Sequence, residues 1–163
     1  MRITENFVFF YTTEECMSNF YPANFNINGI NFSCTEQHMM YSKAKLFGDE
    51  DIANKIMLTN VPGKIKGLGR KVSNFDEKIW QQHRENILFE GNLAKYTQNK
   101  EIKDQLLSTN PKTLVEASPS DKIYGVGLGI DDSRINDPKN WNGLNLLGQI
   151  LMRVREHIIK NNL

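Results

Sequence analysis

Glu36 and Lys43 are the pair of side chains whose types and spacing could do chemistry. They lie seven residues apart in Thr35-Glu36-Gln37-His38-Met39-Met40-Tyr41-Ser42-Lys43, a run of helix formers. At about 100° per residue, seven steps bring them within about 20° of one helical face and about 10 Å apart along the axis. A carboxyl group on that face can move protons. An amine can attack an electrophilic carbon once burial or a nearby cation depresses its pKa. An ordinary structural role also accounts for both residues. Ser33-x-x-Glu36 reads as a capping box, which leaves Lys43 a solvated helix lysine and Met39-Met40 core.

Other segments offer binding groups. Lys64-Ile65-Lys66-Gly67-Leu68-Gly69-Arg70-Lys71 is basic and glycine-containing, and suits either a phosphate-holding loop or a solvated turn. It is not a Walker-type phosphate loop. Gly125-Val126-Gly127-Leu128-Gly129 alternates glycine without the dinucleotide-binding spacing, so it suits a backbone approach to a ligand or a plain turn. Trp80 and Tyr124 could stack on a base, although Trp80 sits on an amphipathic segment where core packing is the usual role. His83, on the same segment, reads as a satisfied, partly buried histidine.

The elements that must position these groups follow from patterning. Phe7–Tyr11 is aromatic and β-branched, a strand. Phe25–Phe32 alternates apolar and polar residues about Asn28-Gly29, a tight hairpin with a type I′ turn. Helices are predicted from Cys34 to Phe47 (ended by Gly48), Asp51 to Leu58, Asp76 to Thr97 (weakened by Gly91), Glu101 to Leu107, and Gly143 to Ile159. Thr113–Ala117 suits a strand, and 118–142 a long Ser/Pro/Asp/Gly/Asn-rich loop. The sum is an α+β fold, a helix-rich single domain over 1–163 with a small antiparallel sheet.

Composition excludes several classes. The 163 residues and 18.8 kDa suffice for one continuous core, and 39% hydrophobic with 24% charged residues is globular. Twenty Lys and Arg oppose 19 Asp and Glu, so a net charge of +1 supplies no global field toward nucleic acid or anionic lipid. The mean hydropathy is −0.50. No apolar run has the length of a membrane span, and the N-terminus lacks a signal-peptide layout. Cys16 and Cys34 read as reduced thiols of a cytoplasmic protein. With His38, His83 and His157 they show no metal-ligand spacing.

Taken together, the segments resemble the NADAR/YbiA-like family. The stretches that carry the resemblance are Ser18-Asn19-Phe20, Thr35 to Ala44, Leu68-Gly69-Arg70-Lys71-Val72, Trp80, Leu114-Val115-Glu116-Ala117-Ser118, Asp121, Tyr124-Gly125-Val126-Gly127 and Trp141 to Gly148. They keep the family's order across nearly the whole chain. The resemblance implies a YbiA-like fold and an N-glycosidase that cleaves the bond between ribose C1′ and a nitrogen. One branch of the family acts on phosphoribosylated pyrimidine intermediates of riboflavin synthesis. Another removes ADP-ribose from guanine in nucleic acid, which would make nucleic acid a transient partner. A non-catalytic ADP-ribose- or NAD-binding module is the alternative of a different class.

In family terms Lys43 matches the lysine that forms an imine with the opened ribose, and Glu36 the acid of proton transfer. The expected substrate-binding set is Ser18, Asn19, Phe20, Arg70, Trp80, Glu116, Asp121, Tyr124, Gly125 and Gly127. Within it, Arg70 would anchor phosphate and Asn19, Glu116 and Asp121 would bond the ribose or base edge. Trp80 and Tyr124 would sandwich the base. No metal or redox cofactor is required. Tyr124 stands where the family often has Trp, and Gln37 where many members have His. Both differences bear on substrate choice more than on reaction type.

Overall fold

The computed structural model describes residues 1–163. Its contacts divide the chain into two compact units, one of residues 1–18 with 100–163 and one of residues 19–99. The whole is α+β and helix-rich, with six α-helices and two small sheets.

The first unit is built on a three-stranded sheet, β1 (Arg2–Ile3), β2 (Phe7–Phe10) and β5 (Thr113–Glu116), in the order β1-β2-β5. β1 runs antiparallel to β2, pairing Arg2 with Phe9. β2 pairs with β5 in parallel, Phe7 opposite Thr113 and Phe10 opposite Glu116. The expected small antiparallel sheet is present in the β1–β2 pair and in the hairpin of residues 25–32, and the parallel β2–β5 pair adds to it. All of residues 11–112 intervene between the two strands, so no tight hairpin constrains their direction. Val8, Phe9 and Phe10 are at most 1% exposed. A strand covered on both faces reads as a continuous apolar run rather than an alternating one.

On one face of this sheet Phe9, Val115, Ala117, Val126, Leu128 and Ile135 form a buried cluster. Helix α6 (Leu146–Asn161) packs against β5 through a buried stripe that includes Leu147, Ile150, Leu151 and Val154. α5 (Lys100–Ser108) packs against α6.

Sequence patterning places the start of α6 at Gly143, but the chain enters it only at Leu146. Asn145 precedes it in the left-handed region, with φ 52°. The Asn145 side chain accepts from the Glu116 amide at 3.0 Å, and its Nδ2 donates to the Leu114 carbonyl at 2.9 Å. One buried amide thus ties the helix entrance to a strand. Asn145→Ala should cost about 2–4 kcal/mol, because two buried backbone groups lose their partners. Chemical denaturation read by circular dichroism checks it.

The second unit packs a hairpin, β3 (Phe25–Ile27) and β4 (Ile30–Phe32), with four helices: α1 (Thr35–Leu46), α2 (Glu50–Met57), α3 (Pro62–Gly69) and α4 (Glu77–Thr97). Asn28 and Gly29 have φ of 52° and 85°, as the type I′ turn demands. α1 packs against each of the other three helices. Asp49 caps α2 by accepting from the Ile52 amide, and its second oxygen accepts from the amide and hydroxyl of Ser73, just beyond α3. Asp76 caps α4 in the same way, at the Lys78 and Ile79 amides. α4 runs unbroken through Gly91, where a Cβ would lie 2.5 Å from His38 Nδ1. The glycine that propensity marks as a weakness is therefore the seat of a buried side chain.

Candidate functional site

α1 supplies both candidate catalytic residues. Every residue from Thr35 to Met40 is buried, so the first turns carry a polar quartet, Thr35, Glu36, Gln37 and His38, into the interior. Buried polar side chains at this density need partners, and that demand organises the site.

The capping box over Ser33 and Glu36 does not form. The N-cap is Cys34, with no side-chain cap bond, and the back-bond falls to Gln37. Gln37 Oε1 accepts from the Ser33 amide at 2.8 Å and from its hydroxyl at 3.0 Å. Gln37 Nε2 donates to the carbonyls of Ile56 and Thr59. Gln37, the departure from the family's frequent His, thus secures α1 to the end of α2. Glu36 holds no cap, is 3% exposed, and is placed by its own amide, which donates to the Asn19 carbonyl at 2.9 Å. Asn19 Oδ1 in turn accepts from Nδ2 of the buried Asn92 on α4, at 3.4 Å. Gln37→Ala should therefore lower stability by about 1–3 kcal/mol, because the Ser33 amide and the Ile56 and Thr59 carbonyls lose its side chain. Urea titration of the variant beside the native protein checks it.

Lys43 is half-buried, one helical face with Glu36. Its Nζ donates to the Gly69 carbonyl at 2.9 Å, at the end of α3. It lies 4.2 Å from the Phe75 ring centroid and 5.7 Å from that of Trp80. Trp80 is 5% exposed and so combines core packing with an aromatic wall beside the amine. Burial pushes the Lys43 ammonium below the ordinary lysine range, and the carboxylates of Glu77 and Glu36 oppose that drop. Glu36 and Lys43 thus feel each other's charge. Gly69 permits this geometry, since a Cβ there would run into the Met40 side chain and hold α3 away from α1.

The basic stretch at 64–71 is neither a loop nor a turn. Residues 62–69 are α3, begun by Pro62 at the first helical position. From Ile65 onward its amides serve the helix ladder, so a phosphate contact over the rest of the helix must come from side chains. Arg70, the expected phosphate anchor, is exposed at the C-cap, next to the carbonyl that receives Lys43. Phe20 is part-buried, with Lys66 Nζ 5.7 Å from its ring centroid. His83 is exposed rather than partly buried, and its Nδ1 lies 2.9 Å from the Ile79 carbonyl.

The remaining expected residues belong to the first unit. The Ser18 amide donates to the Glu15 carbonyl. Asp121 Oδ1 accepts from the amides of Ile123 and Tyr124, and its own amide donates to the Ser118 hydroxyl. The loop it shapes is sewn to 142–147: Asn142 to Val126, Asn145 to Gly125, Leu146 to Ile123 and Leu147 to Tyr124, each amide to carbonyl. The Val126 amide donates to the Glu116 carbonyl. At Gly125 a Cβ would sit 2.9 Å from the Asp121 carbonyl oxygen and 3.0 Å from that of Glu116. Gly127 takes φ 70°. The glycines thus serve close approach of the protein's own backbone, and they gather Glu116, Asp121, Tyr124, Gly125 and Gly127 into one loop cluster. Asn19, Phe20, Glu36, Lys43, Arg70 and Trp80 lie in the second unit.

Reasoning from sequence missed Phe75 and Gly69, the amine's nearest ring and its carbonyl partner. Neither type announces a site. The one available signal was a basic residue of α1 without a helical counter-ion at i−4 or i+4, Met39 and Phe47 standing there.

Comparison with known proteins bears on what this arrangement does. The family model for the NADAR domain matches residues 9–159. The chain is 44% identical over 165 residues to N-glycosidase R617 of Acanthamoeba polyphaga mimivirus, covering 94% of this chain and 96% of that protein. It is 27% identical over 159 residues to the riboflavin biosynthesis protein VVA0006 of Vibrio vulnificus, covering 96% of this chain and 40% of that protein. The NMR structure of the Escherichia coli protein YbiA superposes with a TM-score of 0.79 at 26% identity, over 99% of this chain and 89% of that one. No helix is long and apolar enough to cross a membrane.

Proposed function

We propose that the chain, which belongs to the NADAR domain family and has relatives named N-glycosidases, hydrolyses the ribose C1′–N bond of phosphoribosylated pyrimidine intermediates of riboflavin synthesis, through an imine on Lys43. Relatives named N-glycosidases support cleavage of an N-glycosyl bond, and the riboflavin biosynthesis relative supports the choice of substrate. The observation that carries the proposal is a half-buried Lys43 amine, its ammonium disfavoured by burial, sharing one helical face and one electrostatic neighbourhood with the buried Glu36 carboxyl.

The step runs as follows. The glycosidic nitrogen's lone pair forms a C1′=N double bond as the C1′–O4′ bond breaks, and O4′ takes the proton of Glu36. Neutral Lys43 Nζ adds to C1′. Proton transfer from Nζ to the departing nitrogen then breaks the C1′–N bond and frees the base. The C1′=Nζ imine remains. Water adds to C1′, its protons pass to Nζ and Glu36, and the sugar leaves as the open aldehyde. Trp80 and Phe75 keep the amine's surroundings apolar. Arg70 is the phosphate anchor in this reading, exposed beside the carbonyl that receives Lys43.

The test is incubation of the pure protein with a ribosylamino-pyrimidine 5′-phosphate and, separately, with an oligonucleotide bearing ADP-ribosylated guanine. Release of ribose 5-phosphate from the first is expected. ADP-ribose from the second alone would move the substrate to modified nucleic acid. Tight binding of ADP-ribose without product from either would make the chain a binding module. Glu36→Gln should lower kcat about a hundredfold or more.

A further inference from the structure

We infer that the cavity between α2 and α3 is a nucleotide-binding site separate from the Lys43 amine. It holds about 480 Å³, within the range of small-molecule pockets, and residues of the second unit alone line it. Lys64, Gly67, Leu68 and Lys71 reach it from α3 and its end, at the i, i+3, i+4, i+7 spacing of one helical face. Lys55, Leu58 and Thr59 reach it from α2 and its end. Gly69, whose carbonyl holds Lys43, lies off that face, so α3 stands between the two sites. The assignment does not depend on the reaction proposed for Lys43.

Two independent features name the ligand chemistry. The first is charge. Residues 52–75 carry Lys55, Lys64, Lys66, Arg70 and Lys71 and no Asp or Glu, in a chain whose net charge is only +1. Asp51, 2.6 Å from Lys55 Nζ, is a counter-ion from the preceding turn, an exposed pair of small worth. Three ammonium groups around one cavity favour a phosphate. The second feature is apolar. Leu58 is 86% exposed beside those lysines, and Leu68 joins it in the lining. An exposed leucine flanked by ammonium groups suits the flat face of a base, and Thr59 adjoins it in the lining. The cavity exists because Gly67 leaves it open: nothing lies within 4 Å of a Cβ built there.

The nucleotide can be free or part of a chain, and the experiment separates these. Amide shifts of ¹⁵N-labelled protein are followed on titration with AMP, inorganic phosphate and a short single-stranded oligonucleotide. AMP should move Thr59, Gly67 and Leu68, with phosphate binding more weakly. Lys64→Glu with Lys71→Glu should weaken these shifts at least tenfold, and so should Gly67→Leu, which fills the space and keeps every charge. N-glycosidase turnover should stay unchanged in both. An oligonucleotide that displaces AMP places the nucleotide in a chain, and one that fails to compete makes it a free ligand. AMP shifts that survive both variants, that fall elsewhere, or that phosphate reproduces at equal affinity overturn the assignment.

Discussion

Lys43→Ala is expected to reduce turnover about a thousandfold or more while the protein stays folded. The side chain is half-buried, and its nitrogen makes one hydrogen bond, to the Gly69 carbonyl. That carbonyl ends a helix and can turn to water when the amine goes. Loss of the Nζ contact with the Phe75 ring should cost about 1 kcal/mol, well short of unfolding. Chemistry loses its nucleophile altogether. Lys43→Arg is the sharper control, because it keeps the charge and the carbonyl contact but cannot form the imine. Borohydride added during turnover should leave a mass adduct on the native protein and none on either variant. Turnover that persists in Lys43→Ala removes the amine from the mechanism, whatever the fate of Glu36. The rate should also rise with pH as Lys43 loses its proton. The rise should be centred below the ordinary lysine range, since burial disfavours the ammonium more than Glu77 and Glu36 restore it.

Much of this arrangement is legible from residue order, and the exceptions share a cause. Asn28-Gly29 announces its hairpin because only a turn with positive φ at both positions suits that pair. The α1 face shared by Glu36 and Lys43 follows from helical spacing alone. α3 hides, because Pro62-Gly63-Lys64-Ile65-Lys66-Gly67-Leu68-Gly69 has three glycines and one fully buried apolar side chain, Ile65, and local propensity reads it as a turn. Packing overrides that propensity. Ile65 is fully buried, and Gly69 is needed for contact with Met40, so the glycines that weaken the helix are what let it approach α1. The parallel pairing of β2 with β5 is invisible for a different reason: it joins residues with the whole second unit between them in sequence. The capping role of Gln37 turns on a one-residue shift of the helix start, finer than composition can resolve. The same shift gives the back-bond at the helix entrance to Gln37 rather than Glu36, a detail that only the folded chain reveals.

His38 gives the second large effect, an acid-induced loss of stability. It is 3% exposed, edge-on to Phe32 at 5.0 Å and to Phe25 at 6.3 Å, beneath Gly91. Burial lowers its pKa to about 4, and the exposed Glu90 carboxylate, 3.7 Å from Nε2, does not offset that. Between about pH 6.5 and 4 the unfolded chain therefore binds a proton that the native state refuses. Its stabilisation is full above the unfolded value and is lost as pH falls toward 4. A displacement of that size corresponds to roughly 3 kcal/mol. Urea denaturation at pH 7 and pH 4 should show this loss in the native protein. His38→Gln, which cannot take up the proton, should lose about that much less over the same interval. Equal losses in both would place the acid sensitivity in the carboxylates instead. Because His38 sits between Glu36 and Lys43 on α1, its protonation should unseat the helix that carries both. Activity and structure should then fail together below about pH 5, with a midpoint that follows stability rather than the titration of the catalytic pair.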